Sequence, residues 1–404
     1  MNQRLYILDD DEQYANLLAE VATNAGWLAI PEQSACTFLE TEFPKNSVLV
    51  LDLIMPEMDG IEVIRALAEK RCDLLLILVS GFDTRVLHSA QQLAEAHKIK
   101  VLATLTKPIS VQEFTHVLKQ INVVLPIVKK SAVSNSPVLA EELNEALQKH
   151  QLILHYQPQI NMKTGRIESV ESLVRWQHSE RGLLFPDQFI TLAEENNLID
   201  KLTEEVLSIA VKQNKTWISE GLEIPVSINV SAQNITSLNL PELLKALTDK
   251  HAVTAENITL EITESAVMSK LTSSLDVLNR LRMKGFSLSI DDFGTGYSSL
   301  SHLYRAPFTE LKIDRIFVAN MIENAEALII VKICIMLGQM LGMKLVAEGV
   351  ETQEVWNELE KLGCDIAQGY FMAKPMPADK LIPWVDQWEK KKSTLLINNK
   401  VTFN

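Results

Sequence analysis

Apolar and polar positions alternate along this chain in two rhythms. Between residues 155 and 375 come eight short apolar runs, LHYQP, SVESLVRW, PVSINVS, ITLEITES, SLSIDDFGTG, LKIDR, KLVAEGVE and IAQGYF, with polar residues at their ends and helix-length segments between most of them. Strand and helix alternating eight times predict a (β/α)8 barrel, which carries its chemistry at the carboxyl ends of its strands. Gln157–Ile160 and Ile167–Leu173 both read as strands, yet only Asn161–Arg166 separates them. A parallel crossover needs about a dozen residues, so this connection is expected to be a hairpin and the first barrel strand antiparallel to its neighbour.

Residues 1–121 follow the other rhythm. Strands are expected at Leu5–Leu8, Val48–Leu51, Leu74–Val79 and Val101–Leu105, with a shorter one near Leu28–Ile30, and helices such as Glu12–Ala25 and Ile61–Lys70 between them. This pattern predicts an α/β domain of flavodoxin type, a five-stranded open parallel sheet with its ligand site at the strand carboxyl ends. Residues 122–138, including NVVLPIVKKSAVSNSP, mix Pro, Ser, Asn and Lys without a period and read as a linker. A helix from Leu139 to Lys149 opens the second domain, 139–392, and 393–404 form a tail in which the lysines after Trp388 are expected to end a solvated helix. The apolar stretch Leu328 to Val346 is interrupted by Lys332, Gln339 and Lys344, so it reads as a buried barrel helix leading into a strand, with no membrane span.

Length and charge narrow the function. The 404 residues suffice for two domains of about 120 residues and of barrel size. A net charge of −14 argues against direct binding of duplex DNA, which requires a basic face. Cys36, Cys72, Cys334 and Cys364 form no CxxC pair and read as small hydrophobes in a reducing compartment. The N-terminus, where Arg4 is followed by Asp9, Asp10 and Asp11, has no signal-peptide pattern, and the expected location is the cytoplasm.

The polar strand ends carry the candidate chemistry. In the first domain Asp9 and Asp10 follow strand one, Asp52 strand three, Ser80 strand four and Lys107 strand five. Three carboxylates suit one Mg2+, one of them is available as a nucleophile, and a hydroxyl and an ammonium flank it. Acids such as Asp11 and Asp59 have a simpler reading as helix caps. In the second domain Glu171, Asn229, Glu261, Asp291, Asp292 and Glu348 offer hard oxygen donors enough for two divalent ions, the arrangement that hydrolyses an anionic phosphodiester. Lys312 is placed to orient water or neutralise transition-state charge, and Arg175 to grip a phosphate with both arms of its guanidinium. Each motif alone has a plain structural reading as a cap, turn or surface acid; their succession at strand ends does not.

The first domain resembles the receiver domains of two-component response regulators across residues 1–121. The resemblance implies that Asp52 accepts a phosphoryl group from a histidine kinase or phosphotransfer protein, that Asp10 binds Mg2+ directly and Asp9 through water, and that Ser80 and Lys107 contact the phosphoryl group. Thr104 departs from the pattern, standing where many receivers have an aromatic switch residue. Residues 140–390 resemble the EAL-domain cyclic-di-GMP phosphodiesterases, through Glu171-Ser172-Leu173 (serine where the name motif has alanine), YQPQI, NVS, EITES, DDFGTGYSSL, LKIDR, VAEGVE and AQGYF in order. That resemblance implies hydrolysis of cyclic di-GMP to linear pGpG with Mg2+ or Mn2+. Glu171, Asn229, Glu261, Asp291 and Glu348 would form the first ligand shell, with Asp292 on the second metal and Asp314 close by. Lys312 would be the catalytic lysine, Glu264 would hold the loop Asp292–Ser299, Glu351 would support the far side, and Leu173, Arg175 and Gln368 would meet substrate. Asn197 stands where glycine is common, and Asn tolerates left-handed backbone. A homodimer or higher oligomer is expected from the family. The rival reading is a silent barrel that binds cyclic di-GMP or a protein without hydrolysis; the complete set of acids favours the enzyme.

Overall fold

A computed structural model describes residues 4–41, 43–44, 47–70, 74–81, 84–97, 99–112, 114–115, 117–119, 121, 138–269, 271–295 and 300–400. Residues 122–137 of the expected linker and 296–299 of the loop Asp292–Ser299 lie outside the described residues. The chain divides into two compact units, Met1–Ser136 and Pro137–Asn404.

The first unit is a five-stranded parallel sheet in the order β2-β1-β3-β4-β5, with β1 Arg4–Leu8, β2 Leu28–Glu32, β3 Ser47–Asp52, β4 Leu74–Ser80 and β5 Lys100–Thr106. β3 and β4 are almost entirely buried, and their near-continuous apolar runs suit strands packed by helices on both faces. Asp11 caps the helix Glu12–Asn24 by accepting from Tyr14 N at 3.1 Å, and Asp59 caps Gly60–Glu69 by accepting from Glu62 N at 2.8 Å, as expected of acids outside the site. A Cβ at Gly60 would stand 2.7 Å from the Asp52 carbonyl oxygen, so glycine lets this helix start close beneath the acid at the end of β3.

The second unit is an eight-stranded closed barrel. Its strands are β6 Leu152–Asn161, β7 Ile167–His178, β9 Val226–Asn229, β10 Ile258–Thr263, β11 Ser287–Phe293, β12 Glu310–Ile313, β13 Lys344–Ala347 and β14 Ile366–Ala367, with short β8 Gly182–Leu184 and β15 Met376–Pro377 at the margins. β6 pairs antiparallel with both β7 and β14, while the other neighbours around the barrel pair parallel. The connection expected at Asn161–Arg166 does form the hairpin; β6 ends at Asn161, β7 begins at Ile167, and the turn passes through Gly165 at φ 65°. Asn197 adopts φ 57°, the left-handed geometry allowed for it.

Alternation along the barrel strands sorts residues sharply. Ile228, Leu260, Ile262, Leu288, Ile290, Leu311, Ile313, Leu345 and Ala347 belong to one apolar cluster with the surrounding helices. The intervening positions, Ser227, Thr259, Glu261, Ser289, Asp291, Glu310 and Lys312, are buried and polar. Barrels of this class usually fill their interior with Val, Ile and Leu. Here the apolar core lies between strands and helices, and the interior is polar.

Two expectations need correction. The stretch Leu328 to Val346 resolves into the helix Ala325–Leu341 and β13, but the helix is not buried all round. Ala327, Val331, Cys334, Ile335 and Gly338 face inward, while Ile329, Ile333, Met336 and Met340 are each more than half exposed. A helix on the outside of a barrel can bury only one stripe, and this sequence is apolar beyond it. The C-terminal helix Ala378–Lys400 runs past Trp388 into the segment read as a tail. Trp388 Nε1 donates to the Gly165 carbonyl at 2.8 Å, which ties that helix to the β6–β7 hairpin.

Candidate active site

Both sets of strand-end residues assemble. In the first unit Asp9 and Asp52 are buried, Asp10 is exposed, and one oxygen from each lies within 4.8 Å of the others. Lys107 Nζ reaches Asp9 Oδ2 at 2.7 Å and Asp52 Oδ2 at 2.6 Å. Burial lowers the lysine's proton affinity, but Asp52 and Asp9 outweigh it and leave the ammonium above its ordinary range. Burial also dominates at Asp9, which is pushed up despite Lys107. Ser80 is fully buried at the end of β4. Tyr14, which the sequence did not single out, stacks its ring 4.7 Å from Lys107 Nζ while its hydroxyl accepts from Ile109 N at 3.0 Å. Thr104 is exposed on β5.

The barrel's set converges at the carboxyl ends of β7 and β9 through β14. Glu171 stands on β7 across from Ser227, Asn229 ends β9, Glu261 lies on β10, Asp291 and Asp292 lie on β11, Lys312 lies on β12, and Glu348 and Gln368 directly follow β13 and β14. Lys312 has no exposed surface and is ringed by acids: Nζ lies 2.6 Å from Glu348 Oε1, 2.8 Å from Glu261 Oε2, 3.1 Å from Asp291 Oδ1 and 3.8 Å from Glu171 Oε1. Burial works against its charge, yet Asp291, Glu171, Glu261 and Glu348 hold the ammonium well above its usual range.

One ammonium cannot neutralise this many acids. Burial, aided by Glu171 and Asp291, pushes Glu261 well up. Glu348 rises to about 8 through burial, with Asp291 and Glu171 adding to it against Lys312. Asp292 rises to about 7, through burial first and then Asp291 and Asp314. Glu171 alone falls, because Lys312, Gln368 and Asn229 together outweigh its burial. Among the described residues Glu261 Oε1, which is buried, meets no hydrogen-bond partner. Glu171, Glu261 and Asp291 bring one oxygen each within 4.8 Å, and so do Asp291, Asp292 and Glu348. Two overlapping oxygen triads with surplus negative charge and an orphaned carboxylate oxygen fit a pair of hard divalent cations.

The surroundings are built to hold these groups. Asp292 has φ 55°, a left-handed backbone uncommon for a residue with a side chain, and its N–H donates to Asp291 Oδ1 at 3.0 Å. Glu264, buried at the start of the helix Glu264–Ser269, accepts from Gly294 N at 2.9 Å, so it does hold the described beginning of the loop after β11. Asp314 caps the helix Arg315–Asn320, accepting from Ile316 N at 2.6 Å. Gly349, at φ 69°, sits where a Cβ would come 2.5 Å from Arg315 Cβ, so a side chain beside Glu348 would displace that helix. Ser172, at the motif position expected to be alanine, places its hydroxyl on the Ser227 carbonyl at 2.7 Å and leaves no polar group unpaired.

A cavity of about 830 Å3 opens over the acids, with Leu173, Arg175, Glu351, Gln368 and Tyr370 among its lining. The Arg175 guanidinium lies 4.8 Å from the Phe185 ring, and its buried Nε meets no acceptor among the described residues. A guanidinium lining such a cavity suits an anionic ligand. Gln368 does not stand free: Nε2 donates to Glu171 Oε2 at 2.5 Å and to Gln157 Oε1 at 3.0 Å. Gln157, Gln159 and Ser169, which bear on it, were missed in the sequence, where they read as ordinary strand polars.

Two family models match the chain, the EAL domain over residues 140–375 and the response regulator receiver domain over 5–119. The cyclic di-GMP phosphodiesterase RocR of Pseudomonas aeruginosa is 31% identical over 392 residues, covering 95% of this chain and 99% of RocR. The bifunctional diguanylate cyclase/cyclic di-GMP phosphodiesterase MucR of the same organism is 40% identical over 245 residues, which are 60% of this chain and 36% of MucR. The cyclic di-GMP phosphodiesterase NbdA, again from P. aeruginosa, is 40% identical over 59% of this chain and 31% of its own length. The chain thus spans about a third of MucR and NbdA but nearly all of RocR. Among solved structures, the MucR phosphodiesterase in complex with c-di-GMP superposes with a TM-score of 0.58 at 40% identity, over 60% of this chain and 98% of that one. An EAL-domain protein from Listeria monocytogenes gives 0.55 at 29% identity, over 61% and 97%.

Proposed function

Because the chain belongs to the EAL-domain family and carries a receiver domain ahead of its barrel, we propose that it is a response regulator that hydrolyses cyclic di-GMP to linear pGpG under the control of phosphorylation at Asp52. The observation that carries this reading is that Glu171, Asn229, Asp291, Asp292 and Glu348 line one cavity, while Glu171, Asp291 and Glu348 together with the buried Glu261 surround a fully buried Lys312. Glu171, Asn229, Glu261, Asp291 and Glu348 would hold one Mg2+ or Mn2+, and Asp292 with Asp291 and Glu348 a second. Such a pair supplies Lewis acidity to the phosphoryl oxygens and an activated water.

The protein's own residues do the rest. Arg175, backed by Phe185, offers its guanidinium to the phosphate not being cleaved. The Lys312 ammonium stays charged among its acids and stabilises charge as water adds to phosphorus and the P–O3′ bond breaks. The departing oxygen takes a proton to become the 3′-hydroxyl of pGpG. Glu264 keeps the loop after β11 in place through Gly294, so that Asp292 keeps its strained backbone. Leu173, Glu351 and Tyr370 shape the walls.

In the receiver, Asp52 would take the phosphoryl group from a histidine kinase or phosphotransfer protein, with Asp9 and Asp10 on Mg2+ and Ser80 and Lys107 on the phosphoryl oxygens. The proposal includes a homodimer or higher oligomer, supported by the exposed Ile329, Ile333, Met336 and Met340 and checked by molecular mass in solution. Among the described residues no helix is long and apolar enough to cross a membrane. The decisive experiment incubates the full chain with cyclic di-GMP and Mg2+ or Mn2+ and looks for pGpG. Turnover that survives thorough chelation would remove the two-metal mechanism, and binding without any pGpG would favour the silent barrel.

A further inference from the structure

Gln368 is the last member of a chain of buried amides whose direction is forced. At one end stands the Glu171 carboxylate, which can only accept, so the atom 2.5 Å from Oε2 must be the Gln368 N–H. That turns Gln368 Oε1 toward Gln159, whose Nε2 donates to it at 2.8 Å. Gln159 Oε1 then faces Ser169, whose hydroxyl donates to it. The second Gln368 N–H donates to Gln157 Oε1 at 3.0 Å, and Gln157 Nε2 donates to the Ala373 carbonyl, also only an acceptor, at 3.0 Å. Both termini therefore dictate the same orientation of all three amides. Gln157, Gln159, Ser169 and Gln368 are each more than nine-tenths buried, so water does not offer an easy alternative partner.

The reversed strand makes the ladder possible. β6 lies between β14 and β7, its Gln157 pairs across from Glu171 and its Gln159 across from Ser169. Its inward amides thus span from the residue after β14 to the acid on β7. Asn229 Nδ2 donates to the other Glu171 oxygen at 2.9 Å, so both oxygens of that carboxylate are oriented by amides. With both N–H groups taken, Gln368 can offer a ligand only a lone pair of its oxygen.

We propose that Gln159, Gln157 and Ser169 are positioning residues that act through Gln368 to fix the metal ligand Glu171. The inference rests on the metal-binding reading given under the proposed function. Without Gln159 the Gln368 amide keeps its N–H bonds to Glu171 and Gln157 but loses the donor to its oxygen, so it is held less firmly against the Glu171 carboxylate. Metal affinity is then expected to fall while the chemical step at saturating metal changes little. Losing a group that orients a ligand typically weakens metal binding by about tenfold or more.

The test is calorimetric titration of the full-length chain with Mn2+, in an Asp10→Ala background that removes the receiver's own cation site. Gln159→Leu and Gln159→Glu should weaken Mn2+ binding by about tenfold, with kcat at saturating Mn2+ within about threefold of the parent. Ser169→Ala should weaken binding by about threefold, and Ser169→Thr, which keeps the hydroxyl, should restore it. The serine variants are the smaller changes and decide the matter if Gln159→Leu does not fold. A parent that binds Mn2+ alongside variants that bind it equally well would reduce the ladder to core filling. A parent that binds no Mn2+ in the barrel would overturn the metal reading and the ladder together.

Discussion

The two acidic centres of this protein use the same parts at different depths. In the receiver, Lys107 bridges two aspartates, keeps about a fifth of its side chain exposed, and has the exposed Asp10 beside it. In the barrel, Lys312 has no exposed surface and stands among four carboxylates. Under the proposed function, the partly exposed Lys107 and exposed Asp10 would let a phosphoryl donor reach the first centre. An enclosed one concentrates field at a fixed point, where dipoles and charges count for more than in water. The difference teaches that the same residue types make two centres that differ most in how deeply the lysine lies.

The largest test of that comparison removes one carboxylate from each centre. Glu171→Ala should abolish both metal binding in the barrel and turnover, whereas Asp10→Ala should leave basal hydrolysis within about twofold. Equal losses in a pGpG assay would mean the two centres are not separate.

Next come the lysines. Lys312→Ala should keep metal and substrate binding while kcat falls by about 100-fold. A rise in KM alone would make Lys312 a binding residue instead. The metal-free variant should also lose about 3–5 kcal/mol of stability, since its buried acids lose their counter-ion, and Mn2+ should restore part of it. Lys107→Ala, partly exposed, should cost no more than about 1 kcal/mol. Thermal melts with and without Mn2+ separate the two cases.

The pH response should differ as well. Glu348 at about 8 and Asp292 at about 7 hold protons that the unfolded chain, with carboxylates near 4.5 and 3.8, has already released. Their contribution to the stability of the metal-free fold is full below those unfolded values, declines as pH rises, and is gone above pH 8. Cations compete with the same protons. Mn2+ affinity should therefore rise between about pH 6.5 and 8.5, with about one to two protons released per event. Calorimetry in buffers of different ionisation enthalpy reads this directly, and a flat affinity would contradict it.

Smaller effects lie at the edges. Glu264→Gln keeps an acceptor for Gly294 but loses the charge, and should lower kcat by about tenfold and weaken metal dependence without unfolding the barrel. Full activity would show that other contacts hold the loop. Smallest of all, beryllofluoride at Asp52 should change kcat a few-fold, by about the coupling free energy typical of linked sites, and Asp52→Ala should remove that response. Thr104→Tyr should alter its size. An unchanged kcat at confirmed occupancy would assign the receiver to assembly or localisation.

Much of this is legible in the sequence. Loop length alone marked Asn161–Arg166 as a hairpin, because no parallel crossover fits in six residues. The acids at strand ends announced the site, because a parallel barrel presents every such end on one face. Less legible was the side chain's task. The resemblance implies that Gln368 meets substrate, and nothing in the sequence shows that its N–H groups also donate to Glu171 and Gln157. Ser289 and Glu310 gave no signal at all, although both are buried in the barrel interior, where burial pushes the Glu310 carboxyl up against the opposing pull of the Ser289 hydroxyl.

What the chain determined by itself is what local rules can express: period, turn length, capping acids such as Asp11 and Asp59, and the order of polar residues at strand ends. What only the tertiary structure decided is which face of each strand looks inward, how deep each charge lies, and which amide meets which oxygen. A period of two names two faces without saying which one closes on itself. Closing the barrel turned the polar faces together, took Lys312 out of water, and brought Gln157, Gln159 and Gln368 into line on Glu171, groups up to 211 residues apart along the chain.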